Sequence, residues 1–521
     1  MDEKGKKGRQ YHIFIILLFV YFVIQGYCML ITSDDIWWAF VPSMKALFKS
    51  YNPNGRYFTN ALTYLCCHYI FFRDVFYILT MSGFAFLTAK LFNSGRNFKW
   101  LHWFFTVLIF FFTPSYFYSY VFNWTSGFPN YVFPLIFLFW YFLYCEPLYE
   151  KKLPTGGAVA AVLFLTLGFL GSLCIEHITI YNVLFGIFII VFSLATQQKV
   201  RLANIFFLIG AIAGGVLMFT SHNYSDIIST GEDAVGFRGF EFNFVDIITK
   251  IYLEVIPSFA RPYFLIHAVI AVSVIMLYIY KFKNSEKEPK YAKICLTVIV
   301  LFFFYSFLSC NGQELAITST AYHEPAFETA FVFIYIISLL YMVYHILNGS
   351  DRIKAVLYLI SAVMTMAPFI VINPITSRCF FVCFIFWCLF ALRMLGSAVS
   401  ILRLPEHILL RSFAVIMSCG ILGFLSFVDI SNKYVDVLRV KYLNEQLDTN
   451  QRHVNYICLP YKMYHLDSAY CFDIDSYIIE LDGKTYNFDE LYFKYNDVNP
   501  SVLDKVRINI GMYDYHMAKE S

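Results

Sequence analysis

YHIFIILLFVYFVIQGYCMLITSDDIWW, residues Tyr11 to Trp38, decides how the rest of the chain is read. Its first part, Tyr11 to Ile31, is a continuous apolar run of the length that crosses the hydrocarbon core of a bilayer. No small-residue cleavage site follows it, so the run is a retained helix and not a removed signal peptide. Two adjacent carboxylates, Asp34 and Asp35, then stand before two tryptophans. Either acid could cap the helix beginning "IWWAFVPSMKALF" by satisfying its free amides. Capping explains one acid better than two. A carboxylate held at the bilayer rim could also act as a general base, because partial burial lifts its pKa toward neutrality.

Such apolar runs recur. Of 521 residues, 59% are hydrophobic and 14% charged, where a soluble protein carries roughly a quarter charged residues. Mean hydropathy is +0.60. The net charge of +3 and the scattered basic residues exclude nucleic acid as a partner. Most of the thirteen cysteines, such as Cys66, Cys67, Cys383 and Cys388, lie inside apolar runs and act as small hydrophobes. No CxxC pair or Cys/His cluster has zinc spacing, and no cofactor is indicated, with the need for a divalent metal left open.

Further spans fall near 74–92, 100–118, 130–145, 156–174, 177–195, 202–219, 262–280, 293–310, 326–346, 355–372, 379–395 and 411–428. With the first they make about thirteen, so the chain reads as an all-α polytopic membrane protein. The basic "EKGKKGR" keeps the N-terminus in the cytoplasm, and Lys and Arg then fall in alternate loops. That alternation requires Tyr57 to Phe72 to lie at the outer interface and not to cross. The outer side receives a loop at 32–73, another at 220–261, and a polar tail from Asp429. The tail, with alternating patches such as "SYIIELDG", is expected to be a small extracytoplasmic α/β domain, and Cys458 and Cys471 could pair in an oxidising compartment.

Ionisable groups at membrane depth are costly and call for a functional hypothesis. Besides Asp34 and Asp35, four stretches raise one. "NPNGRYFTN" sets Asn54 in a turn and Arg56 at a helix start, where it either snorkels to headgroups or forks onto a phosphate. "FNWTSGFPNY" offers Asn123, Trp124, Asn130 and Tyr131, as an interfacial aromatic belt or as a surface for a sugar or isoprenoid headgroup. Asn123 and Asn223 also begin glycosylation sequons, a pattern common by chance. Glu176 and His177 sit in the nearly loopless turn "GSLCIEHITIYN" and face either solvent or a cavity. "NPITSR" brings Arg378 to a helix start. His323 and Glu324 make a weaker pair. All these polar groups collect on the outer face, while broken helices at midplane, the mark of a transporter, are few.

In order along the chain, "SDDIW", "NGRY", "NYVFP" and "CIEH" resemble the motifs of GT-C-type integral membrane glycosyltransferases. The likeness is strongest to bacterial members akin to O-antigen-modifying glucosyltransferases, and covers roughly residues 1–200. It implies a GT-C-like bundle in the bacterial cytoplasmic membrane and a sugar donor carried on a polyprenyl phosphate. The acceptor would be a cell-surface glycan or lipid-linked saccharide, and the anomeric carbon would be inverted. Asp34 or Asp35 takes the place of the family's catalytic acid, with Asp34 preferred. Arg56 and Arg378 would hold the departing phosphate, and Glu176 and His177 would orient hydroxyls. A flippase of lipid-linked saccharides or a glycan polymerase are the competing readings.

Overall fold

The computed structural model describes residues 11–51, 54–93, 99–230, 239–240, 243–283, 287–311, 325–402, 408–446, 453–467, 478–481, 484–498 and 506–520. The basic N-terminal residues, His323, Glu324 and Cys471 lie outside them. So do parts of the 220–261 loop.

Among the described residues, ten helices are long and apolar enough to cross a bilayer. An eleventh crossing results if Trp100–Phe112 and Ser115–Phe122, bent by 96°, count as one span. The expected spans at 11–31 and 156–174 appear as shorter helices, His12–Cys28 and Ala158–Gly171. This is a helical multi-pass membrane protein. Its centre is Ser377–Ile401, which is buried along most of its length. That helix carries Phe, Trp and Cys on every face, the composition of a helix surrounded by others. Along Phe381–Ile401 the one charge, Arg393, reaches Asp351 at 3.4 Å and the Leu91 carbonyl at 2.6 Å. Small residues do the packing elsewhere: Gly168 and Gly210 sit in the close seam between Ala158–Gly171 and Leu202–Phe219.

Two boundaries differ from expectation. The stretch 57–72 divides at Tyr69 into a separate helix, Tyr57–His68, and the start of the spanning helix Ile70–Phe92. The second is at Asp429, where the polar tail was expected to begin. Ile408–Gln446 is one continuous helix of 39 residues, about 58 Å long at 1.5 Å per residue. Its second half stands beyond a core of ~30 Å. It continues because Asp429, Asn432 and Arg439 find buried partners along it. The tail beyond it has a parallel strand pair, His453–Ile457 with Val506–Ile510, and an antiparallel pair, Ile478–Leu481 with Lys484–Asn487. Two helices, Phe488–Tyr495 and Met512–Glu520, accompany them. The apolar groups of these elements pack with Leu30 and Ile36 from the start of the chain. Tail and acidic pair therefore share one end of the bundle.

Candidate functional site

At that same end a cleft of about 170 Å³ opens between helix termini. Asp34, Asn54, Arg56, Trp124, Asn130, Tyr131, Glu176, His177 and Arg378 all line it. Residues from five separate stretches thus meet in one cavity. Asp35 and Asn123 do not line it, and each departure has a physical reason.

The acidic pair divides because it opens a helix. Asp34–Phe40 turns successive side chains by about 100°, so neighbouring acids cannot face the same way. Asp34 points to the cleft and stays half-exposed, touched by the Ser33 hydroxyl at 3.3 Å. Asp35 is fully buried. Its Oδ2 accepts from the Thr32 amide at 3.2 Å, while Oδ1 accepts from the Ser126 amide at 2.7 Å and from the Ser126 hydroxyl. Burial pushes the Asp35 carboxyl up to about 7, against the pull of those hydrogen bonds. Asp35 is a clamp between the first helix end and the 123–131 stretch, not a second acid in the cleft. Ser33, one residue before Asp34, has φ 53° and ψ −132°. For a residue with a side chain this costs about 1–3 kcal/mol, a strain that clusters at functional sites.

Arg56 is also placed differently from expectation. Its Nε and Nη2 donate to Glu176 Oε1 and Oε2 at 3.0 and 2.7 Å. The guanidinium fork is therefore occupied by a protein carboxylate, and Glu176 also accepts from the Tyr224 hydroxyl. Burial works against the Arg56 charge, and the Glu176 carboxylate more than offsets it, so its pKa lies above the usual arginine range. Asn54 holds the turn before it: Oδ1 accepts from the Arg56 amide at 3.2 Å and from Asn60 Nδ2 at 3.0 Å. Gly55 sits so close to the end of Leu202–Phe219 that a Cβ there would lie 2.1 Å from the Met218 carbonyl oxygen. "NGR" is thus an Asn-held turn, a close approach, and an ion pair that ties the 54–60 stretch to Glu176.

The 123–131 stretch forms the opposite wall. Asn130 donates to the Ser126 carbonyl at 2.7 Å, and its Oδ1 lies 2.7 Å from the Thr59 hydroxyl. Tyr131 stacks beside His177 with ring centroids 6.2 Å apart. A Cβ on Gly127 would sit 2.4 Å from the Trp124 ring, so only glycine lets the indole lie flat there. The Arg378 guanidinium rests 4.9 Å from the centroid of that indole. Such a stack is worth about 0.5–2 kcal/mol. Among the described residues Arg378 makes no hydrogen bond or ion pair. The Asp34 carboxylate, in the same cleft, lies within electrostatic reach of it. Two buried polar atoms of cleft residues are likewise without partners, His177 Nε2 and Trp124 Nε1.

Sequence reasoning did not single out Asn60, Ser126, Tyr224 or Thr376. Asn60 and Ser126 belong to quoted stretches. Tyr224 stands inside the sequon at Asn223, where the pattern drew notice to the asparagine; both Asn223 and Asn123 are buried. The 220–261 segment closes one side of the cleft. Gly239–Phe240 pairs antiparallel with Ile372–Asn373, and Lys250 Nζ donates to the Ile372 carbonyl. Among the described residues no three His, Cys, Asp or Glu side chains gather as a metal site.

The arrangement defines a class: a multi-pass membrane protein with a cleft at one end of the bundle, holding an available carboxylate and an available guanidinium. Comparison with protein-family models, with curated proteins and with solved structures finds no match to this chain.

Proposed function

We propose that this protein is a glycosyltransferase that moves a sugar from a polyprenyl-phosphate donor to a cell-surface glycan or lipid-linked acceptor. The observation carrying this reading is that Asp34 and Arg378 line one cleft, and that among the described residues Arg378 forms no ion pair, with the Asp34 charge within electrostatic reach of it. A carboxylate that takes a proton and a cation that receives an anion are the two charges a transfer from a phosphate leaving group needs.

In the proposed step an Asp34 carboxylate oxygen takes the acceptor's hydroxyl proton. The acceptor oxygen forms a bond to the anomeric carbon as the carbon–oxygen bond to phosphate breaks. The phosphate leaves with the electron pair, facing Arg378, and the anomeric carbon inverts. Trp124 supplies an aromatic surface for the sugar and holds the guanidinium. His177 Nε2 and the Trp124 N–H are free to bond hydroxyls. Arg56 and Glu176, paired with each other, shape the cleft, and the phosphate charge falls to Arg378. No metal enters the scheme.

Counting the bent pair and both shorter helices as crossings gives thirteen. An odd number sets the two termini on opposite sides; with the basic N-terminal segment in the cytoplasm, the cleft and tail would lie outside, at the outer face of a bacterial cytoplasmic membrane. Membrane lipid would surround the bundle and admit the isoprenoid tail.

The test is transfer by purified protein in proteoliposomes from a polyprenyl-phosphate sugar to a saccharide acceptor. Wild type should transfer and Asp34→Asn should not. Equal transfer by both removes the assignment. Movement of the lipid-linked sugar across the bilayer without transfer would make the protein a flippase.

A further inference from the structure

Asn123, absent from the cleft, occupies the centre of a buried polar knot. Its Oδ1 accepts from Gln25 Nε2 at 2.7 Å. Its Nδ2 donates to Asp429 Oδ1 at 3.1 Å and to the Tyr464 carbonyl at 3.0 Å. Both amide protons and the amide oxygen are thereby used, which fixes the side chain in one orientation. His465 Nε2 lies 2.9 Å from Asp429 Oδ1 and donates to it. Its 3.1 Å approach to Asn123 Nδ2 sets two donors side by side and adds no bond. All four of Gln25, Asn123, Asp429 and His465 are buried.

The tail's part of this knot belongs to a turn stapled along the long helix. The Asn432 amide bonds the Tyr461 backbone in both directions, at 3.1 and 3.0 Å. Arg439 pairs with Asp467 at 2.7 Å, and Asp467 accepts from the Leu459 amide at 2.6 Å. On the other side of Asn123, the next three residues lead straight to the cleft. Trp124 bridges Leu30 and bears Arg378; the Thr125 hydroxyl donates to the Leu30 carbonyl at 3.2 Å; Ser126 is clamped by Asp35.

We propose that the tail turn 459–467 is a positioning element for the cleft: by clamping Asn123 through Asp429, Tyr464 and His465, it sets the Trp124 ring on which the Arg378 guanidinium rests, and so tunes affinity for a lipid phosphate. This rests on the phosphate-binding reading of Arg378. None of the clamping residues touches the cleft, so they are positioning and not catalytic residues. The fixing is centred on Asn123, whose amide is fully bonded; Gln25 Oε1, Asp429 Oδ2 and His465 Nδ1 at the edge of the knot have no partner among the described residues.

The experiment compares wild type, His465→Ala and His465→Gln in lipid nanodiscs. It measures the Kd of a polyprenyl monophosphate, the thermal midpoint, and amide exchange across 123–130. Glutamine keeps an N–H that reaches toward Asp429. The expected result is Kd weakened by at least roughly fivefold in His465→Ala, with faster exchange of the Ser126 amide, and recovery of both in His465→Gln. A merely structural role would lower the thermal midpoint and the bound fraction but leave the Kd of the folded protein unchanged. A Kd within twofold of wild type, or a weaker Kd with unchanged Ser126 exchange, overturns the proposal. If His465→Ala does not fold, Asp429→Asn takes its place with the same criteria. Wild type that binds no polyprenyl phosphate overturns the reading of the cleft, and Ser126 exchange alone then decides the coupling.

Discussion

Substituting Asp34 and Asp35 one at a time separates a cleft acid from a buried clamp, and pH is the sharper axis. The Asp35 carboxyl stands at about 7 in the folded protein, against an ordinary value of 3.8. Between those values the folded state holds more protons than the unfolded one, so stability falls as pH rises and levels off above about 7. A shift of about three units at 1.36 kcal/mol each puts the cost above pH 7 at about 4 kcal/mol. Asp35→Asn removes that cost. It also turns an amide NH₂ toward the Thr32 N–H in place of an acceptor, a pH-independent loss of about 1–3 kcal/mol. Asp35→Asn should therefore be less stable than wild type at pH 4 and more stable at pH 8, with the curves crossing at roughly pH 4.5–6. Differences between two proteins measured in one detergent cancel the remaining ionisable groups. Asp34→Asn should leave stability within about 0.5 kcal/mol while lowering the transfer rate by about 10²–10⁴. A flat Asp35→Asn difference from pH 4 to 8 would refute the burial argument. Loss of transfer in Asp35→Asn with full transfer in Asp34→Asn would refute the division of roles.

Three more outcomes follow from the same geometry. Arg56→Gln leaves Glu176 without its cation and should destabilise by about 3–5 kcal/mol, whereas Arg56→Gln with Glu176→Gln should recover most of that loss, read as a coupling energy in a double-mutant cycle. Arg378→Gln should weaken polyprenyl-phosphate binding by roughly 10- to 150-fold with little change in melting temperature, and Arg378→Lys should fall between, since it keeps the charge but loses the fork and the stack; unchanged binding by Arg378→Gln would remove the anion site. Gly127→Ala drives a methyl into the Trp124 ring and the Tyr120 carbonyl, costing about 1–3 kcal/mol, and titration should show phosphate affinity falling by more than the folded fraction does.

The fold was legible where one physical rule acts alone. Apolar length decides which segments cross, and among the described residues it located ten spans between Ile70 and Gln446, while the expected spans at 11–31 and 156–174 are shorter helices and that at 100–118 is a bent pair. It failed at their edges, where tertiary partners compete with hydropathy. The apolar pattern of the last span stops at Val428, but the helix runs on to Gln446 because Asp429, Asn432 and Arg439 are paired inside the protein. Pattern also could not reveal that Leu30 and Ile36 complete the tail's packing, since that contact joins residues about four hundred positions apart.

For the site, sequence gathered these residues on one face; the structure brings most of them to one cleft and separates the paired groups from the others. A charge at membrane depth must be compensated, which is why Asp34, Arg56, Glu176 and Arg378 stand out in the sequence. Compensation by the protein and compensation by a ligand look the same in sequence. Only distances separate them: Arg56 and Glu176 satisfy each other, and Asp35 is satisfied by Thr32 and Ser126. Raised pKa, often taken as the mark of a catalytic carboxylate, here picks out Asp35, whose three hydrogen bonds leave it no room to take part. What makes Asp34 and Arg378 the better pair is their availability. One is half-exposed, the other rests on an indole and forms no ion pair among the described residues, and both meet the same cleft. Polar residues that have already found their partners build a site, and the ones still without partners are where its chemistry has to be sought.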